Sequence, residues 1–198
     1  MYIIDNLPKP DQRRAYSTVI ESISNNAGGL YFLDAPGGTA KTFVIKLLLA
    51  KVRQENKVAL FTATSGIATT LLLGGRTAHS PFKLPLDLSN KQDRVCKISK
   101  NSAMSEQIFR CHLIVWDECT MAHKKAFEAV DRTLRDIGNC NSMMGNVIVL
   151  LSGDFRQAVT VVRRGTKADE LSASIKSSVL WHRVKTLQLS TNMRSRIS

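Results

Sequence analysis

The residues best suited to chemistry lie in one early segment, Ala35-Pro36-Gly37-Gly38-Thr39-Ala40-Lys41-Thr42. It follows the apolar run 30–34 and precedes the helical pattern 43–53, which predicts a turn between a strand and a helix N-terminus. Successive backbone N–H groups and the positive end of the helix dipole attract a polyphosphate at such a turn. In this arrangement Lys41 would reach the β- and γ-phosphates, and the Thr42 hydroxyl would hold Mg²⁺.

This segment is close to the P-loop pattern but departs from it at two positions. The P-loop pattern has glycine at the positions that Ala35 and Ala40 occupy in this chain. The glycines of this chain, Gly37 and Gly38, lie inside the loop. From the octapeptide alone, an ordinary glycine-rich turn remains an alternative. The Lys-Thr pair between a strand and a helix favours the phosphate loop.

A second segment ends an apolar strand, Cys111 to Trp116, with the adjacent carboxylates Asp117 and Glu118. This is the Walker B arrangement, in which Asp117 would hold Mg²⁺ and Glu118 would orient and deprotonate the attacking water. An Asp-Glu pair after a strand is common and usually only solvated. It becomes specific in combination with a P-loop about 75 residues earlier.

A third polar segment follows the apolar strand 146–152 and contains Gln157. A neutral amide there could donate to a γ-phosphate or hold the lytic water, and so distinguish ATP from ADP. A surface turn is the alternative.

A DNA-contacting region is predicted over residues 62–85. Hydroxyl groups follow the strand 57–62 at the sheet edge where parallel sheets bind ligands, and basic side chains flank an aromatic ring further on. The candidate residues are Thr64, Ser65, Arg76, His79, Phe82 and Lys83. A polar loop in which Phe82 only fills the core is the alternative.

Hydrophobic periodicity supplies the elements that would position these residues. It predicts a helix within 8–29 capped by Asp11, helices near 43–53, 123–137 and 169–181, and strands at 30–34, 57–62, 111–116, 146–152 and 185–189. Strand, loop, helix and strand form a βαβ unit with a right-handed crossover. The expected fold is therefore a single α/β domain with a central, mostly parallel sheet flanked by helices.

Composition narrows the functional class. Lys and Arg number 28 against 16 Asp and Glu among 198 residues, which gives a net charge of +12 and favours a polyanionic partner. No apolar run is long enough for a membrane span and the N-terminus lacks a secretory pattern, so an intracellular protein without a membrane partner is expected. The four cysteines show no metal-ligand spacing and are expected to be reduced thiols.

The order of these motifs resembles that of the Pif-type (petite integration frequency) DNA helicases. The resemblance runs through Gln12, the 35–42 loop, 62–68, 74–85, Trp116-Asp117-Glu118, 153–157 and Asn192-Met193-Arg194, and so covers nearly the whole chain. The likeness is greatest to the helicase segment of Helitron transposons. It implies a RecA-like P-loop NTPase fold and an ATP-dependent helicase motor that moves 5′ to 3′ on single-stranded DNA, of the kind used in DNA repair and recombination.

The resemblance also assigns roles by position. It implies that Gln12 reads adenine, that Arg194 approaches the γ-phosphate, and that ATP and Mg²⁺ bind at Lys41, Thr42, Asp117, Glu118 and Gln157. Region 62–85 would line the DNA path. The chain as a whole, 1–198, would be the first of two RecA-like domains, and a second domain is expected to be needed for unwinding. A nuclear location is plausible for a eukaryotic relative.

Ala40 is the most consequential departure from the family, which has glycine immediately before the lysine. A Cβ there would either strain a left-handed backbone by about 1–2 kcal/mol or crowd the phosphates. Two hypotheses follow: a helicase motor domain that hydrolyses ATP, or a truncated or decayed nucleotide- and DNA-binding module without turnover of its own. A P-loop kinase is disfavoured because no lid or acceptor site is visible.

Overall fold

A computed structural model describes residues 9–70, 75–84, 96–157 and 166–193. The helices are α1 (Pro10–Ser24), α2 (Lys41–Gln54), α3 (Gly66–Thr69), α4 (Ala103–Phe109), α5 (Lys124–Gly138) and α6 (Lys167–Ala173). The strands are β1 (Gly29–Asp34), β2 (Val58–Ala63), β3 (Arg76–Thr77), β4 (Cys111–Asp117), β5 (Ile148–Gly153) and β6 (Lys185–Gln188). Short 3₁₀ turns occupy Cys119–Met121, Met143–Asn146, Ile175–Ser177 and Trp181–Arg183.

The described strands form one sheet in the order β3-β2-β4-β5-β1-β6, and each of its pairings is parallel. Asp34 lies opposite Gly153, and Ala63 lies opposite Asp117. The carboxyl ends of β1, β2, β4 and β5 therefore meet at one edge of the sheet. This is the edge at which open parallel sheets bind ligands.

Strand side chains alternate between two cores, one on each face of the sheet. Tyr31 and Leu33 of β1 pack with α1 and α2, whereas Leu30 and Phe32 pack on the opposite face with α5. Strands β4 and β5 alternate in the same way. Both faces of the sheet are covered by helices, which confirms the predicted α/β architecture.

Two predicted elements differ from those observed. Helix α1 begins at Pro10, so Asp11 lies in its first turn and is not the N-cap residue. Asp11 instead accepts hydrogen bonds from the backbone amides of Ser190 (2.8 Å) and Thr191 (3.2 Å), which follow β6. The predicted helix 169–181 ends at Ala173, where Ser174 is extended (ψ 148°) and starts a 3₁₀ turn.

In the described part of the chain, no helix combines the length and the apolar character that crossing a membrane requires.

Candidate nucleotide site

A cavity of about 620 Å³ opens at the carboxyl edge of the sheet, between the loops that follow β1, β4 and β5. Eight of the residues predicted for nucleotide chemistry line it: Pro36, Gly37, Gly38, Ala40, Lys41, Thr42, Glu118 and Gln157. Sequence motifs more than 100 residues apart thus converge on one space, as expected when parallel strands end at the same edge.

Lys41 and Asp117 form the centre of this site. Lys41 Nζ lies 2.7 Å from Asp117 Oδ1 and is therefore ion-paired with it. The same carboxylate oxygen accepts hydrogen bonds from the hydroxyl of Ser152 (2.7 Å) and the backbone amide of Glu118 (2.9 Å). These three donors fix a carboxylate that is almost completely buried.

The Glu118 carboxylate is held by the loop after β2. Its Oε2 accepts a 2.5 Å hydrogen bond from the Ser65 hydroxyl, and the Glu118 backbone is left-handed at φ 52°. Glu118 lines the cavity together with Lys41. The carboxylate predicted to activate water is thus at the site, in contact with a residue predicted to meet DNA.

The loop from Ala35 to Ala40 has the backbone that a glycine at position 40 would favour. Ala40 adopts φ 60° and ψ 32°, in the left-handed region, immediately before α2 begins at Lys41. Of the two outcomes expected for this alanine, the structure shows the strained backbone, with a cost of about 1–2 kcal/mol. Ala40 itself lines the cavity.

Gln157 approaches the same loop from the end of β5. A Cβ on Gly37 would stand 2.9 Å from Gln157 Nε2, so the glycine allows the amide to lie against the loop. Met193 contributes from the C-terminal side, where its backbone amide donates to Gly38 O at 2.8 Å. Arg194, predicted to approach the γ-phosphate, lies outside the described residues.

Gln12 lies behind the loop and is buried. Its Nε2 donates to the carbonyl of Thr39 (3.1 Å), while its Oε1 has no hydrogen-bond partner in the described structure. A buried acceptor without a donor is costly, so this atom is suited to a donor supplied by a ligand.

Ser152, Asp154 and Met193 are site residues that sequence reasoning missed. Ser152 is the penultimate residue of β5 and fixes Asp117, while Asp154 lines the cavity next to Gly153. Burial raises the pKa of Asp154, but hydrogen bonds from Arg156 outweigh it and leave the pKa below its usual value. The available signal was position at the end of a buried strand for Ser152 and immediately after it for Asp154.

The predicted DNA-contacting residues divide into two groups. Arg76, His79 and Lys83 are exposed, and Thr64 and Ser65 are partly exposed at the end of β2. Phe82 does not fit the prediction of a stacking face for bases, because it is only 1% exposed and stacks on Trp116 with ring centroids 5.8 Å apart. Phe82 is a core residue.

The family model of the PIF1-like helicases matches residues 8–198. The chain belongs to the PIF1-like helicase family. This confirms the predicted Pif-type resemblance, while the nearer likeness to Helitron helicases stays a prediction.

Two curated relatives carry helicase names. The ATP-dependent DNA helicase PIF1 of Trypanosoma brucei brucei is 33% identical over 131 residues, which are 66% of this chain and 13% of that protein. The ATP-dependent DNA helicase PIF4 of the same organism is 26% identical over 163 residues, or 80% of this chain and 19% of that protein. The chain thus spans a fifth or less of these relatives.

The fold of this chain is also similar to that of solved Pif1 helicase structures. A crystal structure of the Bacteroides Pif1 helicase in complex with ADP-AlF3 and ssDNA superimposes with a TM-score of 0.72 at 22% identity, over 91% of this chain and 42% of that one. This similarity confirms the RecA-like α/β fold.

Proposed function

We propose that residues 1–198 are the first RecA-like motor domain of an ATP-dependent DNA helicase, which binds ATP-Mg²⁺ and single-stranded DNA and moves 5′ to 3′. The observation that carries the proposal is the convergence of Lys41 and Glu118 on one cavity rimmed by the 35–42 loop, with Asp117 ion-paired to Lys41. Family membership supports the same assignment. Unwinding requires a second RecA-like domain in this proposal.

The residues at the cavity are suited to the phosphate chemistry. Lys41, now paired with Asp117, has the charge and reach to contact the β- and γ-phosphates at the start of α2. Glu118 would accept a proton from the attacking water, and Gln157 would orient that water or contact the γ-phosphate. Arg194 would add a positive charge near the γ-phosphate.

The donors also fit Mg²⁺, which prefers hard oxygen ligands and usually keeps several waters. Thr42 offers a hydroxyl at the cavity, and the hydrogen bonds that the described residues give to Asp117 go to Oδ1 and leave Oδ2 for the ion or its water. Thr42 and Asp117 would therefore hold the metal. The ion would supply neutralisation of phosphate charge.

Adenine selection is assigned to Gln12. Its buried Oε1 is an acceptor without a protein donor, and an exocyclic amine would satisfy it, while Nε2 stays on the carbonyl of Thr39.

Single-stranded DNA is assigned to the adjoining edge, where Thr64, Ser65, Arg76, His79 and Lys83 offer hydroxyls and positive charge.

The first test is Mg²⁺-dependent ATP binding and hydrolysis by the 198-residue chain, with and without single-stranded DNA. We expect binding by the native chain and its loss in Lys41→Ala. Hydrolysis is expected to be stimulated by DNA and abolished in Glu118→Ala. Retention of full ATP affinity in Lys41→Ala would refute the site.

The left-handed Ala40 favours one competing function, a nucleotide- and DNA-binding module without turnover. An Ala40→Gly variant distinguishes this binding module from a motor domain that hydrolyses ATP. Equal ATP affinity in the native chain and Ala40→Gly supports the motor domain, whereas binding by Ala40→Gly alone supports the decayed module.

A further inference from the structure

The hydroxyl of Ser65 joins the predicted water-activating residue to the predicted DNA edge. It donates to Glu118 Oε2 at 2.5 Å and accepts from the backbone amide of Ala68 at 3.3 Å. A serine hydroxyl has one proton, and here that proton is committed to Glu118. The lone pair that accepts from Ala68 caps the N-terminus of α3.

The chain immediately before Ser65 is firmly attached to β4. The Thr64 amide donates to the carbonyl of Asp117 (3.1 Å), and the Thr64 hydroxyl accepts from Trp116 Nε1 (3.1 Å). The Glu118 backbone is also fixed, because its amide donates to Asp117. The contact between the Ser65 and Glu118 side chains is therefore the part of this link that can change without moving a strand.

The chain immediately after Ser65 is a small, lightly packed element at the surface. Helix α3 has four residues; Ile67 is 82% exposed, and a Cβ on Gly66 would meet no atom within 4 Å. Ala68 alone of these four is buried. A ligand that rests on this surface would lie next to the capping hydroxyl of Ser65.

We propose that Ser65 is a positioning residue that holds Glu118 away from the attacking water until single-stranded DNA engages Gly66 to Thr70. This inference rests on the proposed function. The hydrogen bond from Ser65 to Oε2 fixes the direction of the Glu118 carboxylate toward the loop after β2, and so fixes where its oxygens can meet a water. Contact of DNA with α3 displaces the Ser65 hydroxyl and releases Glu118.

Hydrolysis without DNA is the first readout. Ser65→Ala removes the donor, so its DNA-independent rate rises about tenfold, equivalent to about 1.4 kcal/mol, while its DNA-saturated rate stays near that of the native chain. Stimulation by DNA falls by the same factor. An unchanged or lower DNA-independent rate in Ser65→Ala overturns the proposal.

Three further variants distinguish the effect of losing the α3 cap from the effect of losing the hydrogen-bond donor to Glu118. Ser65→Thr keeps both hydrogen bonds and behaves as the native chain. Ser65→Gly is tolerated at the N-cap of α3 but has no hydroxyl to donate to Glu118, so it shows the raised rate of Ser65→Ala. Ser102→Ala removes the equivalent cap of α4, where Ser102 accepts from the Ser105 amide at 3.2 Å, and leaves the rate unchanged.

DNA affinity without nucleotide is the second readout. In this proposal DNA must break the hydrogen bond between Ser65 and Glu118 in order to bind. Removing the Glu118 acceptor should therefore strengthen DNA binding by the free energy that breaking this hydrogen bond costs. Glu118→Ala therefore binds a labelled oligo-dT about tenfold more tightly in fluorescence anisotropy. Glu118→Gln removes the charge but keeps an oxygen acceptor, and its affinity stays close to that of the native chain.

Equal affinities in Glu118→Ala and Glu118→Gln would show that only charge matters, and would overturn the proposal. A native chain that does not bind ATP refutes the proposed nucleotide function, while the DNA comparison still decides the role of Ser65. A chain that binds ATP but not single-stranded DNA overturns the proposal for Ser65, and a chain that binds neither overturns both.

Discussion

Ala40 is a residue whose side chain opposes the backbone around it. Its φ of 60° lies in the region that disfavours Cβ-bearing residues, yet α2 starts directly after it and carries Lys41 into the site. The packing of α2 maintains this conformation, since Val44, Ile45, Leu48 and Leu49 are buried in the core. The strain is local to the loop and is offset by the helix that follows.

Replacing Ala40 by glycine should stabilise the protein. Relief of the left-handed strain is worth about 1 kcal/mol, which corresponds to a rise in Tm of about 2–4 °C for a domain of this size. Urea unfolding measures the difference. Ala50→Gly is the matched control, because Ala50 is exposed within α2 and the same change there should cost about 1 kcal/mol. Destabilisation by Ala40→Gly would refute the strain.

Phe82 contributes to the protein through packing and not through a base contact. It stacks on Trp116, whose ring also lies 4.5 Å from that of Phe127, and these aromatic residues join the 75–84 segment to β4 and α5. The segment carries the exposed Arg76, His79 and Lys83. Phe82 thus positions the basic residues that the proposal assigns to DNA.

Phe82→Leu tests this role. The substitution keeps an apolar side chain, so we expect a loss of about 1 kcal/mol in the free energy of unfolding. Affinity for oligo-dT should remain within about twofold, whereas loss of a base-stacking ring would cost about 1–3 kcal/mol of binding. Calorimetry gives the change in stability, and fluorescence anisotropy on the same preparation gives the change in DNA affinity. A large loss of DNA affinity would support a base-stacking role for Phe82.

At the scale of the element, helix α5 begins with an unusual cap. His123 precedes Lys124, and its Nδ1 accepts a hydrogen bond from the Lys125 amide at 3.1 Å. Burial, followed by the charges of Lys125 and Lys124, lowers the pKa of His123, although Glu128 opposes this. The neutral imidazole is therefore the form that supports the helix.

This cap predicts a dependence of stability on pH. Because the pKa of His123 is lower in the folded state, the unfolded chain binds the proton first as pH falls. The stabilisation is present above the unfolded value of 6.5 and is lost as pH falls from there through the folded pKa.

His123→Asn keeps a capping side chain that does not titrate, so the loss of stability between about pH 7.5 and 5 should become smaller. Urea unfolding across this range measures the slope for both proteins. An identical slope would exclude His123 as its source.

At the scale of the whole molecule, charge should control DNA binding. The net charge of +12 attracts a polyanion, and affinity for a single strand falls with salt by about 0.7 in log–log slope for each phosphate contacted. Arg76→Ala and Lys83→Ala should each reduce that slope by about 0.7. Lys57→Ala is the control, because Lys57 precedes β2 at the opposite edge and pairs with Glu55. Equal effects at all three positions would indicate only nonspecific attraction.

Strand separation is expected to need more than this chain. A RecA-like motor converts ATP binding into movement by closing one domain on another, and residues 1–198 supply one side of that cleft in our proposal. We expect no unwinding of a forked duplex by the chain alone in a strand-displacement assay, even where ATP is hydrolysed. Measurable unwinding by the pure protein would contradict the two-domain requirement.

The sequence by itself determined the local elements and the main nucleotide motifs. The strand before Ala35, the helix after Ala40 and the strand that ends in Asp117 follow from residue patterns within short windows, where side-chain periodicity reports local backbone structure. Parallel strands share one carboxyl edge, so the meeting of Lys41 with Asp117 could also be expected.

Only the tertiary structure decided the contacts between distant side chains. Ser65 meets Glu118 across 53 residues, and Asp11 binds the amides of Ser190 and Thr191 across 179 and 180. The burial of Phe82 likewise depends on where Trp116 and Phe127 lie. Strand order, register and side-chain direction set these contacts. These three features arise from the packing of the whole chain, and no pattern within a short window of sequence encodes them.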